Sequence, residues 1–155
     1  MNSRDRVLAA LNHKEPDRVP YDLGGTVVTG IHVNAYVALR DYLGLPKKEP
    51  VIIDVLQQLA NVDDDVMDVL GVDVRNVAPR SSATFQVEVQ DTDVGEYSYF
   101  YDEWQIGWRS PKDHGLYYDM FDHPLSGPIT EADFDNYQLP DANDPARFVG
   151  LTDAV

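Results

Sequence analysis

Leu70-Gly71-Val72-Asp73-Val74-Arg75-Asn76-Val77 is the stretch on which the fold turns. Upstream of it, Val66, Met67 and Leu70 recur at helical spacing behind Asp63-Asp64-Asp65. Asp63 is expected to cap that helix, and its two neighbours suit the positive end of the helix dipole. Gly71 then ends the helix, and 72–77 reads as a strand bounded by Gly71 and Pro79. A helix, a Leu-Gly corner and an apolar strand together read as the start of a parallel β/α unit.

Working outward, the N-terminal side supplies a similar unit. Ser3 is expected to cap a first helix carrying Val7, Leu8 and Leu11, which stops before Glu15-Pro16 because a residue preceding proline leaves the α region. Val19-Pro20-Tyr21-Asp22-Leu23 reads as a short extended segment, broken by Gly24-Gly25. Residues 31–43 are expected to be helical, with Gly44 at the C′ position and Pro46 beyond it. Val51-Ile52-Ile53 is a short apolar run whose type the pattern does not decide.

After Arg80 the period changes. Ala83, Phe85, Val87 and Val89 alternate with polar residues, which predicts a strand with one buried face. Aspartates and Gly95 form a turn, and 97–101, 103–109 and 116–120 are further aromatic, β-prone runs. The expectation is an antiparallel β-meander over 83–120, with Trp104 and Trp108 on one face of a strand. Thr130 to Asp133 approximates a capping box, and Asp144-Pro145 predicts a helix starting near 145.

Composition narrows the function classes. The chain has 155 residues, 12 basic and 27 acidic, for a net charge of −15. Residues 1–50 are nearly balanced, so the excess sits in 51–155. Such a field repels nucleic-acid phosphates and anionic membranes, so neither is expected as a partner. No apolar run approaches the ~20 residues of a membrane span. With no cysteine there is no disulfide and no thiolate metal site, and the cytoplasm is the expected compartment.

Several stretches together resemble the N-terminal part of the uroporphyrinogen decarboxylase superfamily. They are residues 3–13, Pro16-Asp17-Arg18-Val19-Pro20, Asp22-Leu23-Gly24-Gly25, Leu70 to Arg75, Asp102-Glu103-Trp104 and Pro140 to Gly150, in that order. The resemblance implies an α/β fold, a (β/α)₈ TIM barrel, of which residues 1–155 form the N-terminal portion with the meander inserted at 83–120. Such barrels need about 250 residues, so the chain is expected to be part of a longer enzyme and inactive alone.

The superfamily contains uroporphyrinogen decarboxylases and corrinoid-dependent methyltransferases. For the decarboxylase branch the resemblance implies an arginine-bearing loop after the first strand and an aspartate just past the second. This chain has Asp22-Leu23-Gly24-Gly25-Thr26 and Ala78-Pro79-Arg80-Ser81 there, with no Arg or Lys between Arg18 and Arg40. An octacarboxylate substrate needs guanidinium forks. Methyl transfer is therefore the expected activity, with a small-molecule substrate, a corrinoid protein as methyl carrier, and zinc held by the barrel's second half. The four histidines (13, 32, 114 and 123) make no short ligand motif, so this chain itself is expected to hold no metal or other cofactor. Porphyrinogen decarboxylation is the alternative, and a non-catalytic binding module built on the meander is the alternative of another class.

Barrel enzymes place their chemistry where strands pass into βα-loops. Asp22, Gly24, Gly25, His32 and Arg80 are therefore the candidate substrate-binding residues, with no catalytic residue assigned. Asp22 would orient a substrate or cap the glycine turn, and the glycines would admit a ligand or simply permit the turn. His32 would contact substrate or open a helix, and Arg80 would bind an anionic group or pair with a nearby carboxylate.

Overall fold

A computed structural model describes residues 1–92 and 95–154. The fold is mixed α/β with two small antiparallel sheets, and the chain divides into two compact units. The first comprises residues 1–54 and 58–77, the second 55–57 and 78–155. No helix among the described residues is long and apolar enough to cross a membrane.

The first unit opens with α1 (Ser3–Leu11), whose cap is Asn2 rather than Ser3. Asn2 Oδ1 accepts the Asp5 N–H at 2.8 Å, and Asn serves as well as Ser in this role. β1 (Ile31–His32) precedes α2 (Val33–Tyr42), so the expected helix starts two residues late. Those two residues pair instead with β3 (Leu59–Ala60), which also pairs with β2 (Ile52–Asp54), giving the order β1-β3-β2. α3 (Asp64–Leu70) ends at Gly71, whose φ of +67° is the left-handed C′ conformation that glycine adopts without a Cβ clash. Tyr36, Ala60, Val62, Val66, Met67 and Val72 form the buried core, joined by Leu23, Ile31 and Leu39.

The two expected parallel strands do not form a ladder. Segments 19–23 and 72–77 are joined by one backbone bond, from Asp73 N–H to the Tyr21 carbonyl at 2.8 Å. The Tyr21 N–H goes to the Asp73 side chain at 2.9 Å instead of to a carbonyl. No other backbone bond joins the two segments among the described residues. The described residues thus contain no parallel sheet and no barrel; the architecture they show is the two antiparallel sheets.

In the second unit β4 (Gln90–Asp91), β5 (Tyr97–Tyr101), β6 (Gly107–Pro111) and β7 (Asp119–Asp122) form a sheet in sequential order, each pair antiparallel. An antiparallel meander is present, displaced toward the C-terminus from its expected bounds. The alternating run at 83–90 pairs only through Gln90, opposite Tyr99. Val87 and Val89 are exposed, so the alternation has no neighbouring strand to bury its apolar face. Asp93 and Val94 of the expected turn lie outside the described residues, while Gly95 has φ +76°.

The expected 103–109 strand is shortened because Asp102 organises a turn there. Its Oδ1 accepts Trp104 N–H at 2.9 Å and Ile106 N–H at 3.0 Å, and its Oδ2 accepts Trp108 Nε1–H at 2.9 Å. Trp104 therefore lies in the turn and Trp108 in β6, so the two do not share a strand face. α4 (Glu131–Asn136) carries the expected reciprocal cap between Thr130 and Asp133. Asp144 caps Pro145–Phe148 through Ala146 N–H at 2.9 Å. That element is a single 3₁₀ turn, because Val149 leaves it in an extended conformation and Gly150 follows at φ +83°.

Candidate functional site

The loop that follows segment 19–23 brings three of the expected residues together. Gly24 donates its N–H to the Thr29 carbonyl at 2.9 Å and sits at φ +83°. A Cβ there would lie 2.8 Å from Val62 Cγ2, so glycine is required both by conformation and by the core beneath it. Asp22 Oδ1 accepts the Gly25 N–H at 2.8 Å, and a Cβ on Gly25 would lie 2.5 Å from that oxygen. Both glycines are buried. One Asp22 oxygen is thus held by the turn, while Oδ2 takes no hydrogen bond among the described residues.

His32 stands at the junction of β1 and α2. Its Nδ1 accepts the Asn34 N–H at 3.1 Å, capping α2. The ring is thereby fixed in orientation and its Nδ1 is an acceptor at that bond. Arg80 belongs to the second unit. Its backbone N–H donates to the Arg147 carbonyl at 3.0 Å, and the residue is exposed. Arg147 in turn forks onto Glu103, with Nη1 3.1 Å from Oε1 and Nη2 closer still to Oε2.

The same unit holds two ionic clusters that the sequence did not reveal, the first of them at this loop. In the first, the Asp73 carboxylate has no exposed side-chain surface and accepts Arg6 Nη1 at 2.5 Å, Arg18 Nη1 at 2.6 Å and the Tyr21 N–H. Arg6 also grips Asp17 through Nε at 2.7 Å and Nη2 at 2.9 Å. The Tyr21 N–H and the guanidinium groups hold the Asp73 carboxyl well below the usual carboxylate range, and Arg6 does the same to Asp17. Segment 19–23 and segment 72–77 are thereby tied at the base of the Asp22 loop.

In the second cluster, Tyr36 and Arg40 lie four residues apart on α2 and both reach Asp63. Arg40 additionally forks onto Asp65 through two 2.9 Å bonds and donates to the Pro46 carbonyl at 2.9 Å, while Lys48 closes on Asp63. Asp63 therefore stands at the N-cap position of α3 without capping it, because these three side chains take its carboxylate. Burial pushes the Asp63 carboxyl up, but Lys48, Tyr36 and Arg40 outweigh it and leave it below its ordinary value. Burial together with Asp63 pushes the Tyr36 phenol up. The signal available in the sequence was the i, i+4 spacing of Tyr36 and Arg40 opposite an acidic triplet.

Among the described residues no group of three or more His, Cys, Asp or Glu is placed to hold a metal ion. Comparison with family models, with curated proteins and with solved structures finds no match.

Proposed function

We propose that this chain forms the N-terminal part of a (β/α)₈ enzyme of the uroporphyrinogen decarboxylase superfamily, in the branch that transfers methyl groups through a corrinoid protein. One observation carries the reading: segments 19–23 and 72–77 lie side by side, joined through Asp73, with the Asp22–Gly24–Gly25 loop following the first of them. Two apolar segments joined by helical excursions, with a glycine loop after the first, are what a barrel's opening strands require. The ordered motifs over most of the chain add the superfamily.

In this reading Asp22 Oδ2 is a hydrogen-bond acceptor for the substrate, and the two glycines allow the tight turn that presents it. His32 borders the same loop in sequence, and Arg80, in the second unit, is a separate candidate for binding an anionic group. Zinc, which would supply a thiolate nucleophile by stabilising deprotonated sulfur, would be held by the second half of the barrel. The absence of guanidinium groups in the Asp22–Thr26 loop favours this branch over porphyrinogen decarboxylation.

The test is a methyl-transfer assay on the full product of the gene, following demethylation of methylcobalamin with thiol acceptors. Transfer that falls at least tenfold in Asp22→Ala is the expected result. Decarboxylation of uroporphyrinogen without methyl transfer would overturn the reading.

A further inference from the structure

The second unit carries a concave aromatic face that the proposal above does not use. Tyr97, Tyr99 and Tyr101 alternate along β5 and so share one side of the sheet, with Phe121 of β7 on the same side. Tyr99 stands 6.4 Å from Phe121 and Tyr101 stands 5.9 Å from it, both edge to face. Arg109 of β6, in register with Tyr99, places its guanidinium 4.9 Å from the Tyr97 ring centre and 5.5 Å from that of Phe121. These groups line a hollow of about 540 Å³ together with Asp91 and Thr92.

Three features make this a built site rather than a chance patch. Gly107 seats the Phe121 ring, since a Cβ there would lie 2.9 Å from Phe121 Cε1, so the ring packs directly on backbone. Two acidic groups beside it are engaged: Asp91 by Lys112 at 2.9 Å and by Ser98 at 2.9 Å, and Asp122 by the Tyr101 hydroxyl at 3.0 Å. Arg109 makes no hydrogen bond or ion pair among the described residues, although Asp119 is its register partner on β7. A guanidinium flanked by two rings and without a carboxylate partner keeps N–H groups available for a planar oxyanion.

We infer that this face binds a planar aromatic carboxylate, with the carboxylate on the N–H edge of Arg109 and the ring against Tyr99 and Phe121. Residues 78–155 hold four basic and fifteen acidic side chains, so the surrounding field favours a monoanion over a doubly charged phosphate. The inference rests on the sheet face alone and is independent of the enzyme reading.

The experiment titrates the full chain with benzoate, cyclohexanecarboxylate, phenyl phosphate and acetate, following the Arg109 side-chain N–H and the Phe121 ring protons by NMR. Benzoate should shift both sets saturably and bind more tightly than the other three. Arg109→Gln should weaken benzoate about tenfold or more, as loss of a charge-assisted pair requires. Arg109→Lys, which keeps the charge and loses the fork, should also bind more weakly. Arg109 is exposed, so both variants should keep the sheet's circular dichroism. Equal shifts with acetate, tighter binding of phenyl phosphate, unchanged benzoate binding in Arg109→Gln, or no shift at all would each overturn the inference.

Discussion

The Tyr36 hydroxyl donates to Asp63 Oδ2 at 2.7 Å and accepts the Asp63 backbone N–H at 2.9 Å. One phenol thus satisfies both the side chain and the main chain of the residue that starts α3. Tyr36 is fully buried, so its ring anchors α2 in the core while its oxygen fixes where α3 begins.

Tyr36→Phe keeps the ring and removes this double bond, leaving a part-buried N–H and carboxylate short of a partner. The expected cost is about 1–3 kcal/mol, the usual penalty for a buried polar group left unpaired. Urea unfolding measures it: the midpoint should fall with the slope unchanged. A midpoint within error of the wild type would show that the link between helices carries no stability.

Acid should unfold the first unit through its carboxylates. Asp17, Asp63, Asp65 and Asp73 are all held below their ordinary values in the folded chain. The unfolded chain binds protons more readily, so their stabilisation is present in full above the unfolded carboxylate value of about 3.9 and is lost as pH falls through the lower folded values. Thermal melts from pH 7 to pH 2.5 should show a steep loss below about pH 4. Asp73→Asn should lower stability at pH 7 and flatten that acid limb. A limb identical to the wild type would contradict the assignment.

Gly24→Ala should be destabilising by at least about 1 kcal/mol, from the left-handed backbone alone. The clash with Val62 adds to it. Gly44→Ala has the same sign of φ but open space around its Cβ, so the smaller loss is expected there. Equal losses in the two variants would mean that the Asp22 loop is not seated on the core.

How far the sequence carried the fold is seen at the ends of its elements. Glycines and some caps were readable because their signals are local: Gly71 ends α3 and Thr130 with Asp133 starts α4, whereas Asn2 takes the place of Ser3 and Asp63 spends its carboxylate on Tyr36, Arg40 and Lys48. Strands were less so, because a strand needs a partner that sequence alone does not name. Residues 83–90 have the period but pair only at Gln90, and 72–77 has the composition but spends its key acceptor, Asp73, on side-chain bonds. Of the candidate site, Asp22, Gly24 and Gly25 are gathered in one turn, and His32 caps α2 close by in sequence. Arg109 went unread because what distinguishes it is the pair of rings flanking it, which comes from β5 and β7.

That difference within the meander has its own test. Amide exchange should be fast across 84–89 and slow across 97–101 and 107–110. Phe100, nearly buried against Tyr118, should cost about 3–5 kcal/mol when replaced by alanine. Val87→Thr and Val89→Thr, at exposed positions, should lie within about 0.5 kcal/mol of the wild type. Strong protection at 84–89 would show that the run pairs along its length.

If residues 1–155 supply the opening strands of a larger barrel enzyme, as proposed above, the gene continues beyond them. Reading the gene downstream of codon 155 tests it most directly. The expected result is an open frame that brings the chain to at least the roughly 250 residues a barrel needs, with further strand–helix units and a His and Cys set for zinc. A stop codon directly after Val155 would contradict it.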